Sequence, residues 1–190
     1  MRYEREHKTQ TRDRIVRNTA RKLRAEGLKG PGVASVMKAS GLTVGGFYKH
    51  FRSKHELFAE AIAQAFSDSE KVYSSLQDVP REDRWKEVVR RYLSSEHCDH
   101  PDTGCPVAAL APEIARAKLT VRKQISSLMK ERAERWVEFM PGATAAERER
   151  NFFIIFSAMV GAVSIARLLT EPADRQKTLA NMRDHLLHSF

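Results

Sequence analysis

Apolar residues recur along this chain at steps of three and four, and no stretch alternates apolar with polar as a half-buried strand would, so the pattern is helical throughout. Over residues 9–26, Ile15, Val16, Thr19, Ala20 and Leu23 fall on one stripe that stops at Gly27. Over residues 33–57, Val36, Met37, Ala39, Leu42, Val44, Phe47 and Phe51 keep the helical period with a single interruption at Gly41. A glycine there can take the left-handed backbone that ends one helix, and Thr43 can cap the next, predicted over 44–50. Ser53 and Glu56 have the spacing of a capping box, which opens a long helix over 54–76.

Further helices are predicted over 81–97, from Pro106 to about 117 with Cys105 as cap, over 119–140, over 144–169 behind a Thr144/Glu147 capping box, and after Pro172. Residues 98–104 read as a loop. The expectation is an all-α chain of about nine helices. It comprises a three-helix helix-turn-helix domain (residues 1–53), a connecting helix (54–76) and a helical ligand-binding and dimerisation domain (77–190). No internal repeat or low-complexity segment interrupts it.

Charge sharpens the division. Residues 1–60 hold 14 Lys and Arg against 6 Asp and Glu, a net of +8, whereas the remaining 130 residues hold 19 against 18. A basic excess confined to a helix-turn-helix pattern points to double-stranded DNA, bound the more weakly the higher the salt. The start of the chain, MRYEREHKTQ, is charged from residue 2 and lacks the apolar core of a signal peptide, and two cysteines make no disulfide framework. Both features suit a cytoplasmic protein. The apolar run 152–166 is short for a bilayer and is flanked by Arg148, Arg150 and Arg167, so no membrane association is expected.

Residues 41–57, GLTVGGFYKHFRSKHEL, resemble the TetR family of bacterial transcriptional regulators, and the likeness extends back through Arg14, Ile15, Ala20 and Gly27. Residues 104–111, GCPVAALA, resemble a segment of one branch of that family. The resemblance implies phosphate contacts from Tyr48, His50 and Lys54, and base or backbone contacts from Thr43, Val44, Gly45 and Lys49. It further implies a repressor that binds a palindromic operator as a homodimer and is released by a small molecule. This chain departs from the family pattern at Pro31-Gly32, where the family usually has Ser or Thr; Gly32 can cap but offers no side-chain oxygen.

Two segments carry further candidate chemistry. The helix over 144–169 is apolar nearly all round between 152 and 166, so it is either the core helix of one subunit or, as the resemblance implies, a dimer element. In the second case Ser157, Ala158, Gly161, Ala162 and Ile165 would meet a second copy, completed by Leu186 and Leu187 of the last helix. The aromatic and sulfur-bearing residues of the middle helices, Trp85, Tyr92, Met129, Trp136, Phe139, Phe153, Phe156 and Met159, with Cys105, are candidates for an apolar or aromatic effector pocket. Residues 97–105, HCDHPDTGC, contain metal-ligand types, but their spacing fits no established zinc pattern, and no metal or cofactor is expected. A thiol at a helix N-terminus is a candidate nucleophile, so redox or electrophile sensing by Cys105, with Cys98 resolving, is an alternative. The other alternative is non-specific nucleic-acid binding. No paired carboxylates, phosphate loop or nucleophile-base motif suggests an enzyme.

Overall fold

The computed structural model describes residues 2–190, and within them the side chains of all but residues 2–5, 70 and 72–74. Among these residues it contains nine α-helices and two short 3-10 turns, and no strand. In chain order the helices are α1 (Arg2–Glu26), α2 (Val33–Ala39), α3 (Lys54–Ser74), α4 (Arg84–Tyr92), α5 (Ser95–Asp99), α6 (Pro106–Ala115), α7 (Leu119–Val137), α8 (Ala145–Ala166) and α9 (Pro172–Ser189). The 3-10 turns are Val44–Lys49, between α2 and α3, and Arg81–Asp83, before α4.

By packing, the chain forms two compact units. One comprises residues up to Ser69 together with Pro101–Ala117; the other comprises Glu70–His100 and Lys118–Phe190. The reading by sequence order groups 101–117 with the later helices, whereas α6 packs on α1. Hydrogen bonds explain this. Arg24 of α1, 4 % exposed, donates to the carbonyl of Asp102 at 2.6 Å and to that of Ala65 at 3.3 Å, and the Leu28 amide donates to the Glu113 carboxylate at 2.6 Å. Burial lowers the Arg24 pKa from its ordinary value, with Asp68 at 3.9 Å opposing that shift.

The core of the first unit is built from Ile15, Val16, Val36, Met37, Phe47, Phe51 and Leu57, with Val33, Leu42 and Phe58 packed against it. These are the apolar positions of the periodic stripe. Gly41 sits at φ +68°, the left-handed geometry expected of the residue that ends α2. The helix after it differs from expectation, because Val44–Lys49 winds as a 3-10 turn, with Gly46 bonded back to Thr43 and His50 to Phe47. Tandem Gly45-Gly46 gives poor α propensity, and a six-residue segment favours the tighter winding. Helix α1 begins about seven residues earlier than predicted. Its first two turns are polar on every side and show no apolar period, yet Arg, Glu, Lys and Gln are good helix formers.

In the second unit α8 packs against both α7 and α9, while α4 and α5 pack on α9. The predicted helix over 81–97 is broken after Tyr92, and the predicted loop is partly helical. The cause is Ser94, whose hydroxyl accepts the His97 amide and starts α5. Arg167 closes the other end of α5 by donating to the carbonyls of Cys98 at 2.9 Å and His97 at 3.1 Å. The Thr144/Glu147 capping box forms as expected, and its backbone hydrogen bonds hold the Glu147 carboxyl below the usual range. At 22 residues α8 has the length and composition to cross a membrane, but Phe152, Ile155, Phe156, Met159, Ala162, Val163 and Ala166 are buried within the unit.

Candidate functional site

Residues 43–54 leave the core of the first unit and return to it through two buried phenylalanines. Phe47 and Phe51 are 1 % and 2 % exposed, with ring centroids 5.7 Å apart. Because Phe47 points inward from a turn of only six residues, its neighbours are forced outward. Tyr48 is 78 % exposed and Val44 51 %, and Thr43, Gly45 and Lys49 are exposed as well. Thr43 holds the extended backbone of a cap (φ −85°, ψ 155°), but its hydroxyl caps nothing. A Cβ on Gly45 would meet nothing within 4 Å. The segment therefore offers a hydroxyl, a branched apolar side chain, open backbone, a phenol and an ammonium on one short stretch of surface.

His50 is half-buried, and its Nδ1 is enclosed without a hydrogen-bond partner. Burial pulls its pKa below the ordinary imidazole value, and the nearby cations Lys8, Arg12 and Lys49 add to that. The cations around the ring make this corner one that would favour an anion. Arg12, which sequence reading passed over, organises this corner. Its guanidinium stacks on Phe51 at 4.7 Å, forms a two-point ion pair with Glu60 and reaches toward the His50 carbonyl. Being already paired with Glu60, it serves to position the turn.

At the start of α3 the Ser53 hydroxyl accepts the Glu56 amide at 3.1 Å. The Glu56 carboxylate reaches one residue further back than a capping box, to the Arg52 amide at 2.6 Å. Lys54 is half-buried, with its ammonium 4.8 Å from the centre of the Phe58 ring.

The second unit contains a cleft of about 350 Å³, counting the part open to solvent. Its walls include Trp85, Tyr92, Trp136, Phe156 and Met159 from the sequence-derived set, joined by Val88, Val89, Arg132, Met140, Phe152 and Ile155. Met129, Phe139, Phe153 and Cys105 do not line it. Phe153 is 48 % exposed on the far side of α8, and Cys105 belongs to the first unit. Sequence reading missed Arg132, although it occupies a position where the apolar period of α7, through Ile125 and Trp136, calls for an apolar residue. That mismatch is the clue that was present in the sequence. Near the cleft, Tyr92 packs against His97 at 4.3 Å between ring centroids, and the His97 Nδ1–H donates to the Tyr92 carbonyl. Burial, aided by Arg167 and Arg132, lowers the His97 pKa to about 4.

On α8, Ser157, Gly161 and Ile165 are exposed and Ala158 is half-buried, whereas Ala162 and, on α9, Leu186 sit in the unit's own core; Leu187 is half-buried. Ile154, Ser157, Gly161, Ile165 and Leu168 follow one another at helical spacing as an exposed stripe, on which Ile154 is 47 %, Ile165 53 % and Leu168 77 % open. Cys98 and Cys105 form no disulfide and are 2 % and 3 % exposed, and burial raises the Cys98 pKa. Among the described residues no group of His, Cys, Asp and Glu is arranged to hold a metal.

Residues 15–61 match the family profile described as bacterial regulatory proteins, tetR family. No curated protein matches the sequence. Among solved structures, a transcriptional regulator of the TetR family from Cytophaga hutchinsonii superposes with a TM-score of 0.78 at 18 % identity, covering 96 % of each chain. The reduced form of NemR from E. coli superposes at 0.75 with 16 % identity, over 93 % of this chain and 95 % of its own. FadR from Bacillus halodurans, a fatty acid degradation regulator, superposes at 0.66 with 16 % identity, over 93 % and 94 %. At these identities the likeness is one of fold.

Proposed function

We propose, from the match of residues 15–61 to the profile of bacterial regulatory proteins of the tetR family, that this chain is a cytoplasmic repressor that binds a palindromic operator as a homodimer and is released by a small apolar or aromatic effector. The observation that carries this reading is the exposed surface of residues 43–54 on a module with a net charge of +8 over residues 1–60. Tyr48, His50 and Lys54 are assigned to phosphate oxygens. Thr43, Val44, Gly45 and Lys49 are assigned to base edges and the adjacent backbone, with Val44 suited to a thymine methyl.

A homodimer presents two such surfaces, and both dock only when the half-sites lie about one helical turn, roughly 34–36 Å, or a multiple of it apart. The exposed Ile154-to-Leu168 stripe supports α8 as the element that meets the second copy. The cleft lined by Trp85, Tyr92, Trp136 and Phe156 supports an effector site. Occupancy shifts the operator affinity only if the effector binds one conformation better than the other. The chain runs between the two units within α3 and again on either side of the segment containing α6, so a rearrangement in the second unit has covalent routes to the first.

Selection of bound sequences from a random DNA pool, repeated with apolar and aromatic compounds present, tests the reading. The expected result is one enriched palindrome whose recovery falls with some of the compounds. Retention without any enriched sequence would favour non-specific binding instead. Sensing through Cys105 gains no support, because both thiols are buried away from a reagent.

A further inference from the structure

Helix α1 begins at Arg2, whereas the match to the family profile begins at residue 15, so about 20 Å of helix precedes the part that the profile describes. Burial marks the inward face of this helix. Thr11, Ile15, Val16, Thr19, Ala20 and Leu23 are all buried, at the three- and four-residue steps of one helical stripe. Arg12 lies along the same side, with its guanidinium over the Phe51 ring and its Nε 3.4 Å from the His50 carbonyl. One turn before Thr11 and Arg12 the stripe arrives at Lys8, and Lys8 is exposed. The core has ended there, so a side chain on the inward face of α1 emerges at the rim of the 43–50 turn instead of inside the unit.

His50 locates that side chain more closely. Burial is the main reason its pKa lies below the ordinary imidazole value, and of the surrounding cations Lys8 acts on it most strongly, ahead of Arg12 and Lys49. Arg12 is held by Glu60 in a two-point ion pair and has Glu56 at 3.7 Å, so its charge is answered within the unit. Lys8 and Lys49 are open to solvent, and the enclosed His50 Nδ1 has no hydrogen-bond partner.

From this arrangement we infer that Lys8 is a phosphate-contacting residue of the DNA interface, its ammonium and the His50 ring receiving the same backbone phosphate. The inference rests on the DNA-binding reading above and adds to it a contact from a third element, beside the 43–50 turn and the start of α3, at a position outside the family profile. An ammonium on a flexible stem is a point charge that can follow a phosphate oxygen, and such contacts set register without reading sequence. A phosphate at this corner also offsets the repulsion between Lys8, Lys49 and the His50 ring.

The experiment measures binding of the full-length protein and of its Lys8→Gln, Lys8→Arg and Lys130→Gln variants to the selected operator and to a random duplex of equal length, between about 50 and 200 mM salt. Lys130 is exposed on α7 in the other unit and controls for the loss of one charge. Each lost phosphate contact lowers the slope of log affinity against log salt by about 0.9, so a dimer lacking two should lose about tenfold less affinity over this range. Lys8→Gln is expected to show that flattening on both duplexes, with the preference for operator over random DNA unchanged. Lys8→Arg should keep the slope, and Lys130→Gln should match the unaltered protein. In nuclear magnetic resonance of the free protein, with the His50 signal assigned by its loss in His50→Gln, Lys8→Gln should raise the His50 pKa toward the ordinary value.

An unchanged salt slope in Lys8→Gln overturns the inference even where the His50 titration moves, because Lys8 would then neighbour the ring without meeting DNA. A flattening no greater than that of Lys130→Gln also overturns it, as does a loss confined to the operator, which would make Lys8 a reader of bases. An unmoved His50 titration removes the shared phosphate. Selection from the random pool separates this inference from the reading beneath it. An enriched palindrome bound with an unaltered slope leaves the operator reading standing and removes Lys8. A Lys8-dependent slope on every duplex, with no palindrome enriched, keeps the contact and removes the operator.

Discussion

Tyr48 turns its ring to solvent beside a Phe47 that is sealed in the core, so of two adjacent aromatic residues one holds the fold and the other is open to a partner. Replacing Tyr48 with Phe together with Lys54→Ala should weaken binding to all DNA sequences alike and flatten the salt dependence, because both side chains are assigned to phosphate, which is the same in every sequence. Lys49→Ala or Thr43→Ala should in addition relax base preference, by about 1–3 kcal/mol at one position, as read by competition gel shifts against single-base operator variants. If both sets of variants keep full preference, the base-reading assignment is wrong.

His97 makes a different prediction. Its pKa falls from 6.5 to about 4 on folding, so the unfolded chain binds the extra proton over that window and the folded chain does not. Stability is therefore lost as pH falls from about 6.5 toward 4, by roughly 1–3 kcal/mol for this residue. His97→Gln should remove that share of the slope in melts recorded across pH 4–7. The exposure of Thr43, Val44, Gly45, Tyr48 and Lys49 beside an inward Phe47 and five members of the cleft were legible from residue type and spacing, whereas the DNA contacts assigned to that surface come from the family resemblance. Arg132 was not legible, because a charge on an apolar stripe is ordinarily taken as solvent-facing until burial shows otherwise.

Among the elements, caps were the most legible. The Thr144/Glu147 box starts α8 where its spacing says, and Thr144→Ala should cost about 1 kcal/mol, lowering the melting temperature by about 2–4 °C. Gly41 was legible for a related reason. Nothing surrounds its position for a Cβ to strike, so Gly41→Ala should cost only the left-handed backbone penalty of about 1–2 kcal/mol, measured by denaturant unfolding. Less legible were elements whose form depends on competition between neighbours. The 3-10 winding of Val44–Lys49 depends on tandem glycines, and the break before α5 depends on a single serine that caps a helix instead of continuing one. Both lie where local preferences for two structures nearly balance, and packing or one hydrogen bond tips them.

At the scale of the whole molecule, the proposed assembly has a clean test at Gly161, which is exposed on α8 with nothing within 4 Å of a built Cβ. Gly161→Arg should leave the subunit folded and the melt of the monomer unchanged while blocking close approach of a second α8, so sedimentation should shift from dimer to monomer and palindrome affinity should drop at least tenfold. A dimer that persists would move the interface elsewhere. The sequence by itself determined the helical class, the helix-turn-helix with its inward and outward residues, and the concentration of charge there, since these depend on period, caps and side-chain type within a few turns of chain. Tertiary structure decided what sequence distance conceals. It grouped residues 101–117 with α1 through the bonds of Arg24 and Glu113, withdrew Ala162 and Leu186 into the core while leaving Gly161 and Ile165 open, and set Arg132 among aromatic rings. Each of these outcomes turns on which side of an apolar helix finds a partner within its unit, and that depends on elements far apart along the chain.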